Sequence, residues 1–142
     1  MKNSETLLSV NCDGTLSQYG TQKMKTAWKY QERGKMLLCA DYKPNGKSFI
    51  VGDKEGMITL FDEETKKKTT VFEPGNSQCP GHTNRVFSVK FLRDQPQVFI
   101  SGGWDNVVYF WDIRDKRPIG SYFGAKVGSD TLDEKNGVIV VG

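Results

Sequence analysis

Residues Ser101 to Asp112 read SGGWDNVVYFWD, and two weaker copies of the same phrase stand upstream, SVNCDGTLSQYG from Ser9 to Gly20 and VGDKEGMITLFD from Val51 to Asp62. An internal repeat decides the architecture, because each copy is one supersecondary unit that needs its neighbours to bury its apolar faces. Every copy carries an acid followed by a turn former: Asp13-Gly14, Glu55-Gly56 and Asp105-Asn106. Such dipeptides tolerate the left-handed backbone of a tight hairpin turn, so the chain is expected to reverse direction at three places. After each turn comes a strand of period 2, with Leu16, Ile58 and Val108 in one column and Gln18, Leu60 and Phe110 in the next column of the same face. An aromatic closes each copy, as Tyr19, Phe61 and Trp111. The acids lie 42 and then 50 residues apart. The extra length falls in Glu73 to Pro80, whose Pro, Gly, Asn and Ser residues read as a lengthened loop. A fourth copy begins at Val138 to Val141 and stops before its turn.

A repeat of about 40 to 45 residues that ends in Trp-Asp, with a Gly-His about thirty residues earlier, resembles a blade of the WD-repeat family. Those residues are Trp111-Asp112 and Gly81-His82. The third copy carries every signature residue. In the middle copy Val51 stands for the Ser or Thr, Glu55 for the Asp and Phe61 for the Trp, with no Gly-His ahead, while the first keeps Ser9 and Asp13 but ends in Tyr19-Gly20. The resemblance implies an all-β chain, a WD-repeat β-propeller of about three four-stranded blades. It spans residues 7–142, with units near 7–30, 36–72 and 81–123 and a truncated unit at 127–142. Propellers close with about 4 to 8 blades, so 142 residues form an incomplete ring. The expectation is a fragment of a longer protein. Were the chain this short in the cell, its open edges would call for self-association.

Composition excludes several classes. The net charge is +3, from 20 basic and 17 acidic residues, so no large single-sign field demands nucleic acid. No apolar run is long enough to span a bilayer, and Met1 to Val10 does not read as a signal peptide, so no membrane role is expected. Cys12, Cys39 and Cys79 form no Cys-x-x-Cys pair. They read as free thiols of a reducing compartment, cytoplasmic or nuclear. A single histidine and the lack of clustered cysteines or ligand-spaced carboxylates leave no metal site. The glycines sit at turns and not in a phosphate-binding loop, so no cofactor is expected.

His82, Ser101 and Asp105 are the residue types of a hydrolase triad, as base, nucleophile and orienting acid. No Gly-x-Ser-x-Gly elbow surrounds Ser101, however. The WD-repeat resemblance places the same residues, with Trp111, in a buried structural chain running from indole N–H to hydroxyl to imidazole to carboxylate. No catalytic residue is therefore assigned.

For the family, the expected role is a rigid, non-catalytic platform that binds proteins or peptides on its faces and rim. The residue before each turn acid is Cys12, Lys54 or Trp104. Trp104 is the anchor candidate, since interface hot spots favour Trp, Tyr and Arg, and family geometry puts Lys54 and Arg85 on the same side. Trp111-Asp112-Ile113-Arg114 resembles the box by which some WD-repeat proteins dock to the adaptor of a cullin-RING ubiquitin ligase, and Arg114 is its discriminating residue. Lys23, Lys25, Lys29, Arg33 and Lys35 interleave with Trp28 and Tyr30 in the manner of a stacking nucleic-acid surface. Their period of 2 reads equally as an outer strand with one wet face, and that reading is preferred. Lys66-Lys67-Lys68 reads as a solvated loop.

Overall fold

The computed structural model describes residues 6–22, 25–129, 131–135 and 137–142. Among these residues the chain forms strands and turns and no helix. Strands β1 (Thr6–Val10), β2 (Thr15–Gly20) and β3 (Lys25–Gln31) make a first sheet. The second contains β4 (Leu37–Tyr42), β5 (Ser48–Asp53), β6 (Ile58–Asp62) and β7 (Lys68–Phe72). The third contains β8 (Val86–Phe91), β9 (Val98–Gly103), β10 (Val107–Asp112) and β11 (Pro118–Phe123). A last pair is β12 (Leu132–Lys135) with β13 (Val138–Val141). Within each sheet the strands run in chain order as antiparallel neighbours.

The repeated phrase is one hairpin in each full sheet. Its turn residue takes the left-handed conformation each time, with φ of 83° at Gly14, 88° at Gly56 and 61° at Asn106. An aspartate side chain caps each turn: Asp13 Oδ1 accepts the Thr15 N–H at 2.8 Å, and Asp105 Oδ1 accepts that of Val107 at 3.3 Å. In the second sheet this task falls to Asp53, which accepts from Glu55 and Met57, both at 2.9 Å. Glu55 is one methylene longer, and its carboxylate swings outward to Lys35 at 3.7 Å.

Sheets stack on one another through side chains. β4 and β5 pack beside β8, β1 beside β4 and β12 beside β8. Alternation along each central strand then feeds two cores at once. On β5, Phe49 and Val51 join Leu16, Leu37 and Phe61 between the first and second sheets, while Ile50 faces the other way. On β9, Phe99 packs with Ile50, Phe72 and Trp111 between the second and third sheets. Its neighbour Ile100 joins Val108, Val127 and Leu132 beneath the last pair. Each such side chain stabilises the stack by about 1.5 to 3 kcal/mol on burial. Phe49 and Phe61 stack at 5.0 Å between ring centres, and Phe72 meets the Trp111 ring edge-on at 5.4 Å.

One column residue is polar. Gln18 is 2% exposed, in the place held by Leu60 and Phe110 in the other copies. Its Nε2 donates to Tyr42 Oη at 2.6 Å and Glu63 Oε2 at 2.8 Å, and its Oε1 accepts from Lys66 Nζ at 2.5 Å. With both N–H donors and its oxygen bonded, the amide is tolerated inside the stack.

Candidate functional site: a buried polar chain and an exposed tryptophan surface

The third sheet carries the richest side-chain chemistry. His82 lies in the linker before β8, Ser101 in mid-β9, Asp105 in the β9–β10 turn and Trp111 in β10. Trp111 Nε1 can only donate, and it donates to Ser101 Oγ at 2.7 Å. Ser101 then donates its O–H to His82 Nε2, also at 2.7 Å, so the imidazole proton sits on Nδ1. That nitrogen donates to Asp105 Oδ2 at 2.7 Å. The Thr83 N–H adds a further bond to Oδ2 at 3.1 Å. The indole thus fixes the tautomer and the direction of every bond in the chain.

His82 and Ser101 are both 0% exposed, so no substrate reaches the Ser101 hydroxyl. Burial pulls the Asp105 pKa upward, but the hydrogen bond from His82, with the N–H groups of Thr83 and Val107, outweighs it and holds the carboxyl below its usual value. A carboxylate with a depressed folded pKa contributes stability above the ordinary range near pH 4 and loses it as pH falls. His82→Ala leaves the Ser101 hydroxyl and the Asp105 carboxylate without their partner. It should cost about 1 to 3 kcal/mol at neutral pH. The difference from wild type should narrow on acidification, because protonation of Asp105 removes the same interaction from the wild-type protein. Denaturant titrations at several pH values read this directly. An unchanged midpoint at neutral pH would mean the chain of bonds adds nothing.

At the turn end of the same hairpin Trp104 is 41% exposed. The Arg85 guanidinium carbon stands 5.1 Å from the centre of its ring and Lys126 Nζ 5.4 Å. The Phe87 ring packs at 5.1 Å, and the Trp104 N–H donates to the Arg85 carbonyl at 3.2 Å. Lys54 holds the same repeat position in the second sheet, half-buried, with its N–H on the Met36 carbonyl at 2.9 Å. Cys12 holds it in the first and is exposed. Lys126 and Phe87 were not singled out by sequence. Lys126 falls in the irregular link after β11, where no repeat marks it, whereas Phe87 could have been found as the neighbour of Val86 and Ser88 on the other face of β8, where it packs beside the Ile100 cluster.

Arg114 lies at the opposite end of β10. Its Nε and Nη2 clasp Asp112 at 2.8 and 2.5 Å, and its side chain is 73% exposed. The Arg114 side chain and N–H hold the Asp112 pKa down at about 2. In the basic segment Lys23 is outside the described residues. Trp28 and Tyr30 turn inward, stacked at 5.8 Å on each other with their neighbours Phe49 and Phe61 meeting them edge-on. Lys25 and Lys29 point to water. The aromatic rings are thus committed to the core between the first two sheets. Lys66 is also engaged, with Gln18 and Glu63, and Lys68 pairs with Glu32 at 2.6 Å.

Residues 74–112 match the family described as WD domain, G-beta repeat. The chain belongs to the WD-repeat family. It is 33% identical over 105 residues to the U3 small nucleolar RNA-associated protein 15 homolog of Gallus gallus, covering 74% of this chain and 18% of that protein. It is 28% identical over 142 residues to the mitotic checkpoint protein bub3 of Dictyostelium discoideum, covering 99% of this chain and 40% of the relative. Among solved structures, that of U3-55K superposes with a TM-score of 0.74 at 16% identity, over 89% of this chain and 37% of the other. The WD-repeat chain described here therefore spans less than half the length of these relatives. In its second blade Val51 and Phe61 replace the serine and tryptophan of the polar chain, and a Lys35–Asp53 ion pair at 3.2 Å lies at the turn. Different blades of this WD-repeat protein thus fasten the same hairpin with different chemistry.

Proposed function

We propose that the chain is part of a non-catalytic scaffold that binds other proteins, with the surface around Trp104 as its docking face. The observation that carries this reading is a large aromatic ring left 41% exposed while Arg85, Lys126 and Phe87 hold it in one orientation. A pre-positioned Trp flanked by cations has the composition of an interface hot spot and loses little conformational freedom on binding. The burial of His82 and Ser101 supports a structural rather than hydrolytic use of the polar chain. The names of the relatives refer to a nucleolar RNA-associated protein and a mitotic checkpoint protein. They suit work within an assembly, in the nucleus, the cytoplasm or both.

Trp104→Ala should weaken a partner bound here by about 2 kcal/mol or more, some thirtyfold, while shifting the melting temperature little because the ring is half in water. Quantitative co-purification from source cells compares wild type with the variant. Retention of every partner by a well-folded Trp104→Ala protein would sink the reading. A second reading rests on the outward-held Arg114: docking to the adaptor of a cullin-RING ligase. Arg114→Ala in the same experiment separates the two, since it should remove that adaptor alone. The inward packing of Trp28 and Tyr30 weighs against nucleic acid as the partner.

A further inference from the structure

A second surface lies on the flank of the second blade, away from Trp104. β7 is the last strand of its sheet and pairs with β6 along one side. A cavity of about 500 Å³ runs against it and touches Lys68, Thr69, Thr70 and Val71 in succession. Successive side chains of a strand point to opposite faces, so a cavity that meets four in a row follows the edge of the strand and not one of its faces. The edge is where backbone N–H and C=O groups have no neighbouring strand to pair with.

Two walls complete the groove. One comes from the lengthened 73–80 loop, through Pro74, Cys79 and Pro80. This loop is held in shape: Asn76 Oδ1 accepts the N–H groups of Gln78 and Cys79 at 2.9 Å each, and the Gly75 N–H donates to the His82 carbonyl at 2.9 Å. The other wall is Lys116 and Arg117, from the turn that leads into β11. Among the described residues neither forms an ion pair. Glu73 is the one acid on the lining, against Lys116 and Arg117, while Lys68 is already paired with Glu32.

We propose that this groove takes an extended, acidic segment of a partner protein, added as a further strand to the free edge of β7. Backbone pairing along the edge provides affinity and the basic wall selects the sign of the side chains, which is how strand-addition sites divide the work. Lysines on an edge also discourage pairing between like copies, which favours an acidic partner over a second copy of this chain. The proposal goes beyond the Trp104 surface and stands apart from it.

The test uses the full chain and three fluorescein-labelled octapeptides: alternating Val and Asp, alternating Val and Lys, and the Val-Asp peptide N-methylated at every second amide. The Val-Asp peptide should bind, slow hydrogen exchange at the amides of residues 68–71 and bind equally well to Trp104→Ala. The Val-Lys and N-methylated peptides should not bind. Lys116→Glu with Arg117→Glu, both exposed, should lower Val-Asp affinity at least about tenfold and admit the Val-Lys peptide. The proposal is overturned if the Val-Asp peptide does not bind, binds the charge-reversed protein as tightly, or binds as well when N-methylated. Loss of binding in Trp104→Ala instead would place the peptide on the other surface.

Discussion

Trp111→Ala is expected to destabilise the protein by about 3 to 5 kcal/mol, the range for deleting a fully buried large aromatic. Two losses combine at this position. The indole is 1% exposed, between Phe72 of the second blade and Phe99 and Tyr109 of its own, so its removal opens a void at the seam between two sheets. It is also the terminal donor of the buried chain, and without it Ser101 Oγ loses the N–H it accepts from and keeps only its bond to His82 in a site closed to water. Trp111→Phe should recover much of the packing and none of the hydrogen bond, costing about 1 to 3 kcal/mol. The second blade shows an apolar solution in the same sequence, with Val51 and Phe61 at the equivalent positions. Ser101→Val combined with Trp111→Phe should therefore cost less than the two single changes added, since the pair shares one interaction. Denaturant unfolding of the four proteins measures this. Simple additivity would show that the indole contributes packing and nothing else.

Gly56→Val should cost about 2 to 5 kcal/mol, for two separable reasons. At φ 88° an L residue carries a penalty of about 1 to 2 kcal/mol, and more when branched at Cβ. A Cβ there would also stand 2.7 Å from the His82 carbonyl oxygen and 3.1 Å from that of Asn84. Backbone cannot rotate away as a flexible side chain would, so the linker that presents His82 must shift, and overpacking of this kind costs about 1 to 3 kcal/mol. Asn106 occupies the matching turn of the next blade at φ 61°. Gly56→Asn therefore isolates the clash, because asparagine accepts the left-handed conformation readily. If Gly56→Asn were as stable as wild type, the crowding against His82 would be too soft to matter.

Much of the architecture was legible because propeller blades repeat and because their faces are apolar. Leu16, Ile58 and Val108 shared a column in the sequence, and each lies on the face that its blade turns toward the next. For the polar chain the sequence supplies the residue types, which also suit a hydrolase triad, and only the WD-repeat resemblance implies the order in which they bond. Their placement within 2.7 Å steps is a property of the folded chain. Other features escaped a one-dimensional reading. Gln18 occupies a core column that pattern alone reads as apolar, since Tyr42, Glu63 and Lys66 reach it from another blade. Glu55 looked like the turn acid, yet the shorter Asp53 has the reach that capping requires. Lys126 approaches Trp104 from a link that no repeat predicts. For Gln18 and Trp104 the partners come from distant parts of the chain, where neither period nor propensity carries information, whereas the Asp53 cap is local and turns on side-chain reach.

The proposed use of the Trp104 surface is tested most directly by replacing Trp104 with a benzophenone amino acid in source cells, with Tyr122 on the outer strand β11 as the control position. Irradiation should give discrete protein adducts from position 104 that the control lacks, since that ring is held at the β9–β10 turn by Arg85 and Lys126. No adduct from position 104, or adducts with nucleic acid instead of protein, would contradict a protein-docking role for this face.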